Sequence, residues 1–96
     1  MHNPSHITTK VVKKSGGIEY FDSEKLELTV IRATLNAHLS DEEGREIARK
    51  VLSKIASWLQ GKDEISSGEI FIQVIDILGE INKDISFMYK THRDIS

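Results

Sequence analysis

The N-terminal part of the chain has the hydrophobic pattern of two short strands. β-branched residues dominate positions 7–12, the apolar and aromatic run 18–21 follows, and Gly16 and Gly17 lie between them. Two such runs around glycine predict a β-hairpin, because glycine tolerates the positive φ angles of tight turns. An isolated hairpin is only marginally stable in water, so we expect this one to pack against other elements.

The rest of the chain has the periodicity of four helices. Apolar residues recur every three or four positions in four segments, each preceded by a residue that favours a helix N-cap. The predicted helices run from Asp22 or Ser23 to about His38, from Ser40 to Gly61, from Ser66 to Leu78, and from Asn82 or Asp84 to about Arg93. Ser40 and Ser66 each stand three residues before a glutamate, which predicts capping boxes. The third helix is apolar nearly all round, so we expect it to be the most buried.

These elements predict a single α+β domain, in which a small N-terminal β-hairpin or sheet packs on a four-helix bundle. A length of 96 residues fits one domain with one modest core. We expect residues 1–9 to form a flexible tail and the start of the first strand, 10–93 to form the domain, and 94–96 to form a C-terminal tail. The glycine and polar residues over 79–84 predict a break between the last two helices.

The composition excludes several classes of protein. Apolar residues make up 39% of the chain and charged residues 29%, which is a globular balance. The absence of cysteine rules out disulfide scaffolds, thiol nucleophiles and cysteine-ligated metal sites. It is also compatible with a reducing compartment, and we expect a cytoplasmic protein. No apolar run approaches the ~20 residues of a membrane span, so no membrane partner is expected.

Charge is distributed unevenly along the chain. The chain has 13 Lys and Arg against 15 Asp and Glu, a net charge of −2, which argues against non-specific nucleic-acid binding. Lys10, Lys13 and Lys14 nevertheless precede every acid, whereas acidic residues cluster over 41–46. We therefore expect any anionic ligand to bind near the N-terminal segment.

The lysines beside the glycine turn have two interpretations. A glycine turn exposes backbone N–H groups and the lysines add positive charge, a combination that favours a phosphate group. Lysines on a hairpin also protect a sheet edge against unwanted pairing, and on spacing alone this second role is the more common one.

The remaining polar residues form no catalytic or metal-binding pattern. The four histidines are scattered, so neither a structural nor a catalytic metal is expected. No G-x-x-x-x-G-K-[ST] motif occurs, and helix capping accounts for Ser66 and Ser67, so we expect no enzyme activity. Trp58 either closes the edge of the core or anchors a partner helix.

Four segments, in order, resemble the ATP-cone domain family. The opening resembles the family's first two strands and the start of its first helix, and it reads V-V-K-K-S-G-G-I-E-Y-F-D-S-E-K-L. Three later segments of this chain also resemble the family. The family's second helix is matched by S-D-E-E-G-R-E-I-A-R-K-V-L and the start of its third helix by I-S-S-G-E-I. The family's closing Y-x-x-Y-R pattern is matched by F-M-Y-K-T-H-R. The similarity covers about residues 10–93.

The resemblance implies a regulatory pocket for ATP or dATP between the hairpin and the bundle, and it allows Mg²⁺ to accompany the phosphates. The implied nucleotide-binding residues are Lys13, Lys14, Gly16, Glu19, Asp22, Lys25, Leu26, Ser67, Phe71 and Arg93. The first two lysines and the start of the third helix would face the phosphates, and the two acids would lie near the adenine and ribose. Lys14 and Phe71 depart from the family pattern, which often carries an arginine and a polar residue at these positions.

The resemblance implies a non-catalytic module that senses adenine nucleotide and controls association with itself or with a protein partner in trans. Such a partner would be a ribonucleotide reductase or a transcriptional regulator. The alternative is a ligand-free interaction or oligomerisation module that has kept the cone fold. A third hypothesis, a small helical DNA-binding regulator, is disfavoured by the acidic charge balance.

Overall fold

A computed structural model describes the backbone of residues 8–93 and the side chains of residues 8–91. Within that range the elements, in chain order, are β1 (Lys10–Val12), β2 (Ile18–Tyr20), α1 (Ser23–Asn36), α2 (Asp41–Leu59), β3 (Glu64–Ser66), α3 (Ser67–Ile81) and α4 (Lys83–Arg93). A small sheet followed by helices that form a bundle confirms the predicted α+β fold class.

The predicted hairpin is present, but its first strand is shorter than expected. β1 and β2 pair antiparallel, and the Lys13 N–H donates to the Gly17 carbonyl oxygen at 2.8 Å to close the turn. Gly16 has a φ of 93°, which a residue with a Cβ rarely adopts. The predicted strand over 7–12 is too long, because β1 begins at Lys10, and the first residue of that prediction lies outside the described residues.

A third strand, which the hydrophobic pattern does not indicate, completes the sheet. β3 pairs parallel with β1, so the strand order is β2–β1–β3, and Ile65 of β3 is buried beside Val11 of β1. The Thr9 hydroxyl donates to the Lys62 carbonyl oxygen at 2.8 Å and ties the entry into β1 to the entry into β3. Three residues are too few for alternation to appear, and Ser66 carries the stronger signal of a helix cap.

The helix N-termini lie where the capping signals predict them. The Asp22 carboxylate accepts hydrogen bonds from two backbone N–H groups in the first turn of α1. Ser40 with Glu43 and Ser66 with Glu69 form reciprocal capping boxes at the starts of α2 and α3. Each box satisfies N–H groups that have no partner inside the helix, so local sequence alone fixes these starts.

The break between α3 and α4 is shorter than the predicted one over 79–84. α3 continues to Ile81, and Asn82 alone separates it from α4, whose first turn the Asn82 side chain caps. The Ser86 hydroxyl donates to the Ile75 carbonyl oxygen at 2.9 Å, which links the two helices. A glycine inside a helix costs only about 1 kcal/mol, so packing outweighs the break signal of Gly79.

The core lies between the sheet and the four helices. Its largest fully buried apolar side chains are Val30 on α1, Val51 and Ile55 on α2, Val74 and Leu78 on α3, and Ile85 on α4. Among the described residues, no helix combines the length and the apolar character needed to cross a bilayer.

The expectation that α3 is the most buried helix is wrong, because four of its 15 residues are buried and so are four of the 14 in α1. Ile72 is 60% exposed, since neighbouring elements cover only the face that carries the buried Val74. Trp58 is partly buried against the core, and the Lys62 Nζ lies 5.2 Å from its ring centroid. This packing favours the core-edge alternative for the tryptophan.

Candidate functional site

A cavity of about 560 Å³ lies between the hairpin, the first turn of α1 and the first turn of α3. Its volume is in the range of small-molecule sites. Eight of the ten residues that the sequence predicts for nucleotide binding line it, from three separate segments of the chain: Lys13, Lys14, Glu19 and Asp22 from the hairpin and its corner, Lys25 and Leu26 from α1, and Ser67 and Phe71 from α3. The fold therefore brings the hairpin, the start of α1 and the start of α3 together at one cavity.

A group of three lysines forms the basic wall of the cavity. Lys13 and Lys14 come from the turn between β1 and β2, and Lys25 comes from the first turn of α1. The Lys13 Nζ lies 3.1 Å from one carboxylate oxygen of Glu19, and the Lys25 Nζ lies 3.7 Å from the other. Glu19 thus holds two ammonium groups from different elements beside each other.

The two lysines keep Glu19 ionised. The hydrogen bond from Lys13, followed by the positive charges of Lys13 and Lys25, lowers the pKa of the Glu19 carboxyl below its ordinary value of 4.5. With Asp22 also at the cavity, two carboxylates face three ammonium groups, so the wall keeps one formal positive charge in excess. The Lys13 and Lys25 side chains are 45% and 65% exposed, so an entering ligand can reach both.

The N-terminus of α3 faces the cavity opposite the hairpin. Ser67 and Gly68 of its first turn line the cavity. The start of a helix carries N–H groups without intrahelical partners and the positive end of the helix dipole, and both favour an anion. The Ser66–Glu69 capping box already uses the Glu69 N–H, so α3 adds to the lysines through its dipole and its first two N–H groups.

An aromatic pair forms the inner wall. The rings of Phe71 on α3 and Tyr89 on α4 stack with their centroids 5.7 Å apart and their planes inclined by 29°. Tyr89 is only 3% exposed, and its hydroxyl has no hydrogen-bond partner among the described residues. Tyr89 therefore combines a place in the cavity lining with an unused hydrogen-bond donor and acceptor, and a buried hydroxyl without a partner is unfavourable.

Tyr89 was missed as a site residue because its spacing is that of an ordinary core position on α4. The closing Y-x-x-Y-R resemblance is the one signal in the sequence that singles it out. Thr29, which also lines the cavity from α1, carries no such signal, and its hydroxyl donates to the Leu26 carbonyl oxygen at 2.8 Å.

Two predicted site residues are not placed among the lining residues. Gly16 shapes the turn through its positive φ. Arg93 ends α4, and its side chain lies outside the described part of the chain. Asp22 has a structural task in addition to lining the cavity, since it caps α1.

The carboxylates limit what the site can do with a metal. Within residues 8–91, whose side chains the structure describes, no three His, Cys, Asp or Glu side chains are grouped so that they could hold a metal ion. Mg²⁺ needs no such cage when it accompanies a nucleotide, because it binds chiefly to phosphate oxygens and water. Glu19 and Asp22 are the carboxylates of the described cavity that could approach such an ion.

Comparison with known proteins identifies the family. The model of the ATP cone domain matches residues 9–90, so the chain belongs to the ATP-cone domain family and the resemblance seen in the sequence is confirmed. The chain is also similar to the transcriptional repressor NrdR of Streptococcus sanguinis (strain SK36), with 30% identity over 92 residues. That match covers 92% of this chain and 57% of the repressor, so the chain spans little more than half the length of this relative.

Proposed function

We propose that this chain is a non-catalytic regulatory module that binds ATP or dATP in the cavity and thereby controls its association with a protein partner or with a second copy of itself. Membership of the ATP-cone family, whose domains are nucleotide-binding regulatory modules, supports this proposal. The observation that carries it is the arrangement of Lys13, Lys14 and Lys25 around the same cavity as the N-terminus of α3.

The phosphates would bind between the lysines and the first turn of α3. Ammonium groups form charge-assisted hydrogen bonds with phosphate oxygens, and these are stronger than bonds between neutral groups. Lys13 and Lys14 supply this charge from the hairpin, Lys25 supplies it from α1, and Ser67 lies at the helix end that also favours an anion. A triphosphate carries enough charge to engage all three elements at once.

The nucleoside would lie towards the apolar and aromatic part of the cavity. Leu26, Phe71 and Tyr89 supply apolar and aromatic surface, and the unpaired Tyr89 hydroxyl would bond to a polar atom of the nucleoside. At the position of Phe71 the family often carries a polar residue. Phe71 would therefore offer apolar surface to the nucleoside in place of a polar contact to a phosphate. In this pose the ligand would supply the partner that the Tyr89 hydroxyl lacks among the described residues.

Nucleotide occupancy would reach a partner through α1 and α3. Both helices begin at the cavity and expose apolar side chains farther along, since Leu28 is 62% and Ile72 is 60% exposed. Regulation requires the nucleotide to favour one assembly by a coupling free energy of about 1–3 kcal/mol. The similar protein from Streptococcus sanguinis is a transcriptional repressor, and this favours a protein partner that acts in gene regulation. A ribonucleotide reductase is the other candidate partner.

Calorimetric titration with ATP and with dATP tests the proposal. We expect saturable heats for the wild-type chain and their loss in a Lys13→Ala, Lys14→Ala variant. The matched control is Lys50→Ala, Lys54→Ala, which removes the same charge from exposed positions of α2 that do not line the cavity. Flat traces at millimolar nucleotide for the wild type, or equal binding by both variants, would refute the proposal.

A ligand-free interaction module is the second candidate function. Two large apolar side chains on α3 and α4 favour it, since Ile72 is 60% and Phe87 is 62% exposed. This candidate predicts a dimer whose formation depends on protein concentration and not on nucleotide. Light scattering with and without ATP distinguishes the two candidates.

A further inference from the structure

We propose that Glu19 is an internal counter-ion. In the ligand-free protein its carboxylate occupies the position between Lys13 and Lys25 where a ligand phosphate binds, and an incoming polyanion has to displace it. Identification of the polyanion as ATP or dATP rests on the proposed function, whereas the counter-ion itself rests on the geometry of these three side chains.

The carboxylate of Glu19 bridges the two lysines as a phosphate group would. One oxygen lies 3.1 Å from the Lys13 Nζ and the other lies 3.7 Å from the Lys25 Nζ, so each oxygen serves a different lysine. All three side chains line the same cavity. Two oxygens of one phosphate group can make the same pair of contacts, so Glu19 and a phosphate compete for one place.

The ion pairs of Glu19 are weak enough to be exchanged. The Glu19 side chain is 40% exposed, and exposed ion pairs contribute little to stability because water screens them. Asp22, the other carboxylate of the cavity, caps α1 and is held by backbone N–H groups. Glu19 is therefore the carboxylate that can leave the lysines without disrupting a helix start.

Lys14 gives a polyanion its first contact. Among the ion pairs of the described residues, Lys14 takes part in none, although it lines the cavity. A phosphate that binds Lys14 first then brings a neighbouring phosphate within reach of the place that Glu19 occupies. A single small anion would exchange one negative group for another with little gain, whereas a triphosphate adds contacts to Lys14 and to the N-terminus of α3.

The experiment compares Glu19→Gln with wild type in calorimetric titrations with inorganic tripolyphosphate and with ATP. Glutamine keeps the shape and removes the charge, so we expect both anions to bind more tightly, by up to roughly fivefold, the equivalent of one exposed ion pair. The matched control Glu64→Gln removes a carboxylate from β3 that does not line the cavity, and it should leave both affinities unchanged. Glu19→Asp keeps the charge on a shorter side chain, and it should bind with intermediate affinity.

The outcomes distinguish a failure of the counter-ion inference from a failure of the proposed function. If the wild type binds ATP and Glu19→Gln binds both anions no better or more weakly, Glu19 is no competitor and the counter-ion inference is wrong. If the wild type fails to bind ATP while Glu19→Gln binds tripolyphosphate, the counter-ion stands and the proposed function is wrong. If neither protein binds either anion, both are wrong, and circular dichroism of the variant establishes that the fold is intact.

Discussion

Replacement of Tyr89 by phenylalanine should change stability and ligand affinity in opposite directions. The Tyr89 ring is buried, and its hydroxyl has no hydrogen-bond partner in the described structure. Phenylalanine keeps the ring and its stacking on Phe71 while removing only the hydroxyl. The free protein thereby loses an unfavourable group, whereas the proposed nucleotide complex would lose a hydrogen bond.

The magnitudes follow from the cost of an unpaired buried group. Such a group costs about 1–3 kcal/mol, so the ligand-free variant should gain roughly 1 kcal/mol of stability. In a domain of this size, 1 kcal/mol corresponds to a rise in Tm of about 4–8 °C. A lost hydrogen bond of about 1 kcal/mol should weaken ATP binding roughly fivefold.

Urea denaturation of the ligand-free proteins and calorimetric titration with ATP measure the two effects. Tyr20→Phe is the control for the stability measurement. Tyr20 is 62% exposed, so loss of its hydroxyl should leave the stability of the protein unchanged. A Tyr89→Phe variant that is less stable than wild type by 1 kcal/mol or more, or that binds ATP with unchanged affinity, would refute this reasoning.

Three further predictions concern packing, capping and pH. Gly44→Ala should destabilise the protein by about 1–3 kcal/mol, because the added methyl group meets the buried Thr34 hydroxyl, and Thr34→Ala in the same chain should restore part of that loss in urea denaturation. Ser66→Ala should cost about 1 kcal/mol through loss of the α3 capping box, whereas the exposed mid-helix change Ser53→Ala should cost nothing measurable in the same assay. The lysine partners lower the pKa of Glu19, so its contribution to stability is present above pH 4.5 and is lost as the pH falls through the lowered value in the folded state. The difference in unfolding free energy between wild type and Glu19→Gln should therefore shrink on acidification, and a difference that grows would contradict the ion-pair geometry.

Local signals in the sequence predict most of the fold. The capping boxes at Ser40 and Ser66, the cap at Asp22 and the glycine turn at Gly16 act within a few residues, so the sequence alone specifies them. β3 escapes prediction because it consists of three residues whose partner, β1, lies more than 50 positions earlier. The exposure of Ile72 cannot be predicted for a related reason, since the sequence of an apolar helix does not indicate which of its faces a neighbour will cover.

The candidate site was predictable only where a family resemblance supplied it. On spacing alone, lysines beside glycine favour edge protection over anion binding, and only the resemblance favours the anion. The ion pairs of Glu19 with Lys13 and Lys25 join a turn, a strand and a helix, and no periodicity encodes such a meeting. Tyr89 carries the spacing of a core residue, so its unpaired hydroxyl becomes visible only in three dimensions.

Chemical-shift mapping by nuclear magnetic resonance tests the location of the proposed site most directly. Titration of the isotope-labelled chain with ATP should shift the backbone amide signals of residues 13–26 and 67–71, while signals over 45–59 of α2 stay in place. The absence of shifts at millimolar ATP, or shifts centred on α2, would contradict nucleotide binding between the hairpin and the helices.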